Sequence, residues 1–425
     1  QLACDCIIRG LDWRGRRPNV VVTRGIEVSG WKGSQGIAQG SSWGRSMLLF
    51  NEPAGFWRPR TAALFRPAKI VLAKGSVATP ARRQFVESIC AVYPDAVVER
   101  QLDTPHNRIR LDESNPLEMH AQGKRTLVFG EHKSAVRRSE EEGNACPNYW
   151  HFSPYGFCPY GCAYCYLAGT QGVWFSPTVK IYVNLPEILD EIDRAANRSE
   201  EPVAFYLGKL QDGLALDPLT GYSRQLVPFF ARHPKARLVV LTKSTEIDNL
   251  LDLGHEGHTI LTWTVDAPKM AAAFERNTPD VQSRVAAMCR VAEAGYPVRA
   301  VLMPVIPVLG WRDLYGSFVS ELLRRVPLTR ITLGSICSYP QAVRLMEWNL
   351  GRDNLISASL DRSHGKSADG RLRFPRVVRR QVYRFLVDTI RAIRADLEIG
   401  LCLEDQATFD DLQSAASIGR CNCVL

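Results

Sequence analysis

No uninterrupted apolar run in this 425-residue sequence approaches the roughly 20 residues needed to cross a bilayer. The first residues also lack the basic-then-apolar pattern of a secretory leader, so a cytoplasmic protein with no membrane partner is expected. No short-period repeat or low-complexity tract is present, which argues against a solenoid. Cysteine is not scarce, at 12 residues, but it is too dilute for a small secreted disulfide scaffold. Three cysteines crowd into eight residues and two more sit near Leu425. In a reducing compartment such crowding points to metal before disulfide.

The net charge of +9 suggests a polyanionic partner, but its distribution weakens that inference. Residues 1–66 hold ten Lys/Arg and four Asp/Glu, a net of +6, leaving only +3 for residues 67–425. The stretch 1–60 is rich in Gly, Arg, Ser and Trp with little periodicity. It is expected to be disordered or an extension outside the working protein, with Met47 a natural start and Cys4 and Cys6 incidental. Residues 61–124 are expected to form a small α/β unit and linker. Its elements are a strand at Lys69–Ala73, a helix at Thr79–Tyr93 and a strand at Ala96–Glu99, with 112–124 as polar linker. Residues 125–405 should form the main domain and 406–425 a cysteine-containing tail.

In the main domain, strand and helix patterns alternate. After Arg125–Phe129, strands are expected at Lys180–Val183, Val203–Leu207, Arg237–Leu241, Thr259–Val265, Val298–Pro304, Arg330–Gly334 and Glu398–Cys402. Helices are expected at Pro186–Ala196, Tyr222–His233, Thr245–Leu253, Val281–Ala294, Trp311–Arg325, Pro340–Trp348 and Val377–Arg394. Such alternation implies parallel strands in a full or partial (β/α) barrel, with chemistry at the C-terminal strand ends.

The densest chemical signal is Cys158-Pro-Tyr-Gly-Cys162-Ala-Tyr-Cys165-Tyr166. Three thiolates on one short loop ligate three irons of a [4Fe–4S] cubane and leave the fourth open to a small molecule. Gly161 is expected to let the loop turn tightly. An open iron beside a parallel barrel suits reductive cleavage of S-adenosylmethionine to a 5′-deoxyadenosyl radical, the cofactor carrying the hard chemistry. Two other readings stay open at this point. One is zinc, which normally takes a further Cys or His pair; none follows at zinc spacing, although Cys421 and Cys423 can reach back in space. The other is three cysteines buried in an apolar turn.

The same loop, through Leu167, resembles that of the spore photoproduct lyases within the radical S-adenosylmethionine superfamily. The resemblance runs from about Ala68 to Asp405. It also covers Pro105-His-Asn107, Gly123-Lys-Arg-Thr-Leu127, Lys180-Ile-Tyr-Val-Asn184, Leu241-Thr-Lys243, Phe274-Glu275, Ala294-Gly-Tyr296 and Gly310-Trp311. It implies an α/β fold, a partial (β/α)6 barrel behind a small N-terminal α/β extension. It also implies a lyase acting in DNA repair on ultraviolet thymine lesions, with flavodoxin or ferredoxin as electron donor. By this resemblance Tyr164 and Tyr166 match relay tyrosines. Lys243 and Thr264 match residues near the bound cofactor, and Asp212 matches a family acid. The family's hydrogen-donating cysteine falls at Lys209, which cannot return a hydrogen atom as a thiol does. Cys337 and Cys402, at the ends of expected barrel strands, are candidate substitutes, and each also reads as a small buried residue.

Arg371, Arg373, Arg376 and Arg380, with Phe374 and Tyr383, form a basic aromatic stretch able to grip phosphates and stack on an extruded base. It equally reads as a solvated helix face opposite Val377, Val378, Val382 and Phe385. Two alternatives therefore accompany the repair reading. One is a radical enzyme of the same fold with another substrate, favoured by Lys209. The other is a non-catalytic iron–sulfur or zinc protein that binds nucleic acid.

Overall fold

The computed structural model describes residues 57–141, 143–362, 369–413 and 418–425. The extension expected over 1–60, with Cys4, Cys6 and Met47, therefore lies almost wholly outside the described residues.

In chain order the strands are β1 (Lys69–Ala73), β2 (Val97–Gln101), β3 (Thr126–Gly130), β4 (Val136–Ser139), β5 (Tyr149–Phe152), β6 (Val179–Tyr182), β7 (Val203–Leu207), β8 (Ala236–Thr242), β9 (Thr259–Val265), β10 (Val298–Val305), β11 (Leu328–Ser335) and β12 (Glu398–Leu401). Two-residue bridges are left unlabelled. One sheet runs β2-β1-β3-β6, all parallel, with Tyr155–Gly156 antiparallel on its outer edge. The other runs β12-β11-β10-β9-β8-β7-β5-β4. It is parallel from β12 to β5, and β4 closes it antiparallel. Its ends, β12 and β4, do not pair, so it is an open partial barrel. The strands β7 to β12 are six of those expected. Runs such as TILTWTV in β9 are buried at every position, as parallel strands covered on both faces require.

Helices Leu185–Asn197, Ser223–Arg232, Val281–Glu293, Trp311–Arg325, Pro340–Leu350 and Arg376–Ile393 lie within a residue or two of their expected spans. Three expectations fail locally. The strand at 180–183 joins the first sheet beside β3 and is not a barrel strand. The polar stretch 112–124 is not all linker. Asn115 accepts from Leu117 N at 2.9 Å and Pro116 opens a helix over Pro116–Lys124, a cap-and-proline start that needs no apolar periodicity. No helix forms at 245–253. There the Thr242 and Ser244 hydroxyls accept the amides of Ser244 (2.8 Å) and Glu246 (3.1 Å), a run of side-chain turns that competes with helix. Among the described residues no helix is long and apolar enough to cross a membrane.

Candidate active site

The three-cysteine loop is held from both sides. Lys124, in the last turn of its helix, donates to the carbonyls of Cys158 and, at 2.7 Å, Tyr160. On the other side Gly161–Cys162 pairs antiparallel with Glu275–Arg276, and Ala163 N donates to Phe274 O at 2.7 Å. Gly161 is required by this pairing and not by a turn. A Cβ there would stand 2.9 Å from Arg276 O, whereas the left-handed residue of the loop is Phe157, at φ 59°.

Cys158, Cys162 and Cys165 line a cavity of about 420 Å³ at the C-terminal strand ends. Asp212 after β7, Lys243 after β8, Thr264 in β9, Met303 in β10, Ser335 to Cys337 at the end of β11, and Cys402 after β12 line the same space. The sequence-predicted residues Asp212, Lys243, Thr264, Cys337 and Cys402 thus converge from five strands, and Met303 adds a sixth. Burial pushes the Cys158 thiol well up and that of Cys162 to about 12, so thiolates at these positions need a strong positive partner. Among the described residues no group of His, Cys, Asp or Glu is set around a single ion. Ligands to different corners of a cubane stand further apart than ligands of one ion. The donor set, its burial and its open side fit an iron–sulfur cluster with one corner left for a ligand.

Two charge clusters flank the loop. Glu275 is fully buried; it accepts from Tyr164 OH, from Arg284 Nη2 at 2.5 Å, and faces Lys243 Nζ at 3.6 Å. Burial opposes its charge, but Lys243 and Arg284 outweigh it and hold the carboxyl below its ordinary value. Burial likewise opposes charge on Lys243, and Glu275 and Cys162 reverse the balance, so its ammonium is held above its ordinary value. In the second cluster Glu141 pairs with Lys209 at 2.8 Å and Arg371 at 3.0 Å. Asp212 is spent on structure: it accepts from Leu214 N, Ala215 N, Thr242 Oγ1 and Lys243 N at 2.6–3.0 Å, fixing the β7 and β8 loops beside the cavity.

The family model for spore photoproduct lyase matches residues 65–334. The chain belongs to the spore photoproduct lyase family. Spore photoproduct lyase of Bacillus subtilis (strain 168) is 30% identical over 233 residues, 54% of this chain, and that of Geobacillus sp. (strain Y412MC61) is 29% identical over 232 residues, also 54%. The aligned stretch spans 66% of each relative's own length. The solved structure of spore photoproduct lyase complexed with dinucleoside spore photoproduct superimposes with a TM-score of 0.69 at 22% identity, covering 79% of this chain and 98% of that one. A mutant with bound AdoMet and dinucleoside spore photoproduct gives the same values. The fold is therefore the partial barrel of that family with its small N-terminal α/β unit.

Within the family frame, Tyr166 OH donates to the backbone carbonyl of Lys209 at 2.6 Å, which places Lys209 beside the expected relay tyrosine. Its ammonium turns away to Ser139 and Glu141. Burial keeps Tyr164 and Tyr166 well above the ordinary phenol range, so both retain O–H. Cys337 is 5% exposed, and burial raises its thiol to about 11. The basic stretch divides. Arg373 is buried in ion pairing with Asp369 at 2.6 Å, with no face left for a phosphate in solvent. Arg371 is buried but lines the cavity. Arg376 and Arg380 are half-exposed and share Asp411. Phe374 is 1% exposed and packs in the core, so it is not free to stack on a base. Glu141, Arg284 and Cys146 were not singled out from sequence. Glu141 meets Lys209 and Arg371 across 68 and 230 residues, and no local spacing announces any of the three.

Proposed function

We propose that this protein is a radical S-adenosylmethionine lyase acting on an ultraviolet thymine lesion of DNA. The carrying observation is the three-thiol loop opening on a cavity shared with Lys243, Thr264 and the half-buried Tyr164 and Tyr166. With a [4Fe–4S] cluster on Cys158, Cys162 and Cys165 and S-adenosylmethionine beside it, the pair supplies a 5′-deoxyadenosyl radical. The protein's own groups do the rest. Lys243 and Thr264 bound the cofactor's side of the cavity. Arg371 offers a cation to a lesion phosphate from the far side, and Arg376 and Arg380 attract the flanking strand. Met303 and Leu241 help exclude water. Cys337 is the better substitute hydrogen donor: its raised thiol stays S–H at neutral pH, and it lies at the mouth beside Arg371. Cys402 is engaged with other thiols.

A cytoplasmic setting with flavodoxin or ferredoxin as electron donor suits ten described cysteines that form no disulfide. A second reading, a different substrate on the same fold, is supported by Lys209: the resemblance sets it where the family's donor cysteine falls, and its ammonium is ion-paired to Glu141. The test is anaerobic incubation with reductant, S-adenosylmethionine and lesion-bearing DNA. Formation of 5′-deoxyadenosine together with restored thymine supports repair. Cofactor cleavage without repair shifts the assignment to the second reading, and no cleavage at all overturns both.

A further inference from the structure

A second group of thiols lies in the same cavity, outside the three-cysteine loop. Cys146 follows β4, Cys402 follows β12, and Cys421 and Cys423 belong to the final described segment; all four line the cavity. Cys421 Sγ stands 3.9 Å from Cys423 Sγ, and the thiols of Cys146 and Cys402 lie close enough to bear on its charge. Three separate stretches of chain thus bring their sulfurs to one cavity.

The surroundings are built to hold them there. Arg330 donates to the carbonyls of Cys421 and Val424 at 2.9 and 2.8 Å, Arg299 donates to those of Asn422 and Val424, and Thr262 donates to the Asn422 side chain at 3.0 Å. Glu398 accepts Arg420 N at 3.0 Å. Gly400 has room only for hydrogen, since a Cβ would lie 2.2 Å from Arg420 O. On the other wall Ala145 N donates to Glu404 O at 2.8 Å, tying the Cys146 loop to the Cys402 turn, where Leu403 is held at φ 53°. Packing alone does not call for four sulfurs lining one cavity. Four cysteine sulfurs are the donor set of zinc and of iron–sulfur clusters.

We propose that Cys146, Cys402, Cys421 and Cys423 ligate a second metal centre of the soft, thiolate-seeking class, a zinc ion or an iron–sulfur cluster, in the cavity they share with the three-cysteine loop. The four are not set as a finished single-ion site. Zinc requires the outer thiols to close in to a tetrahedron with edges of about 3.8 Å, given Zn–S near 2.3 Å. The Cys421–Cys423 separation already matches that edge. A cluster requires the sulfurs to spread.

The proposal does not depend on the chemistry at Cys158, Cys162 and Cys165, and its test removes them. The full chain carrying C158A, C162A and C165A is purified anaerobically and supplied with zinc chloride, or with ferrous iron and sulfide. Metal and acid-labile sulfide per chain are then measured, with thiol titration of the folded protein. About one zinc, or several irons with matching sulfide, is expected to remain, and to fall at least fivefold when C421S and C423S are added. Should those changes unfold the chain, chelation of the triple variant must instead release four titratable thiols. A triple variant that takes up neither metal, with the four thiols reacting freely from the start, overturns the proposal.

Discussion

Replacing Glu275 by alanine removes the one carboxylate that serves Tyr164, Lys243 and Arg284 together. The Arg284 side chain is fully buried and that of Lys243 is 15% exposed, so neither charge is taken up by bulk water. Breaking a buried ion pair from one side costs about 3–5 kcal/mol. Arg284 keeps neutral acceptors in Pro279 O at 2.9 Å, Thr278 Oγ1 at 2.9 Å and Thr264 O at 3.2 Å, which places E275A near the lower end. At about 2 °C per kcal/mol, thermal unfolding should shift down by roughly 6 °C. E275Q retains an acceptor oxygen but no charge and should lose about 1.5–3 kcal/mol, the worth of a hydrogen bond to a charged group. The Cys162 loop pairs with the Glu275 main chain, so E275Q should still form the anaerobic brown chromophore. Thermal and chemical unfolding monitored by circular dichroism, with the visible spectrum in parallel, provides the assay. An E275A protein within about 1 kcal/mol of the parent would refute the claim that this carboxylate neutralises the buried cations.

Gly161→Ala should cost about 1–3 kcal/mol and lower iron incorporation, because its Cβ meets Arg276 O at 2.9 Å; Gly172→Ala, with nothing within 4 Å, is the control and should be neutral. Equal iron content in the two would defeat the close-approach argument. Asn115→Ala should destabilise the helix Pro116–Lys124 by about 1 kcal/mol, read as faster amide exchange there; unchanged exchange would dismiss the cap. Burial works against the charge of Glu398, but the Arg420 amide and the Arg420 and Arg330 guanidiniums hold its carboxyl down at about 2. A depressed carboxyl contributes stability above its unfolded value near 4.5 and loses it as pH falls toward 2. Amide protection of 418–425, corrected for intrinsic rates, should therefore drop between pH 5 and pH 3. E398Q should lack that pH dependence, and a parallel drop in both would exclude Glu398 as the clamp.

The chain disclosed what is local. The cysteine triad, the strands that end at the cavity and most helix spans were legible because spacing, periodicity and caps are short-range signals. The strand at 179–182 was visible, but its sheet was not: a short parallel strand buried at every position looks alike wherever it pairs. Arg373 read as a phosphate ligand because nothing nearby reveals that Asp369 folds back on it within a buried turn. Cys402, Cys421 and Cys423 were each visible as cysteines, but their meeting with Cys146 depends on Arg330 and Arg299 drawing the last described segment against the barrel strands.

The two charge clusters share an arrangement that bears on what the cavity will accept. Lys243 and Arg284 share one carboxylate, Glu275. Lys209, Arg371 and Arg373 share two, Glu141 and Asp369. In both, a carboxylate with a buried side chain is drawn between two cations, of which Lys243 in the first and Lys209 and Arg371 in the second line the cavity. Removing charges from water is tolerable only when they are paired, and this sharing holds the cations in place. Lys209 then does more than displace a thiol: it shares Glu141 with Arg371, so Lys209→Cys would restore a sulfur and leave Glu141 to Arg371. A substrate phosphate that uses the Arg371 guanidinium should then bind more weakly in K209C, with less dependence on added salt, while cofactor cleavage persists. Unchanged binding would show that Arg371 is not the substrate's handle.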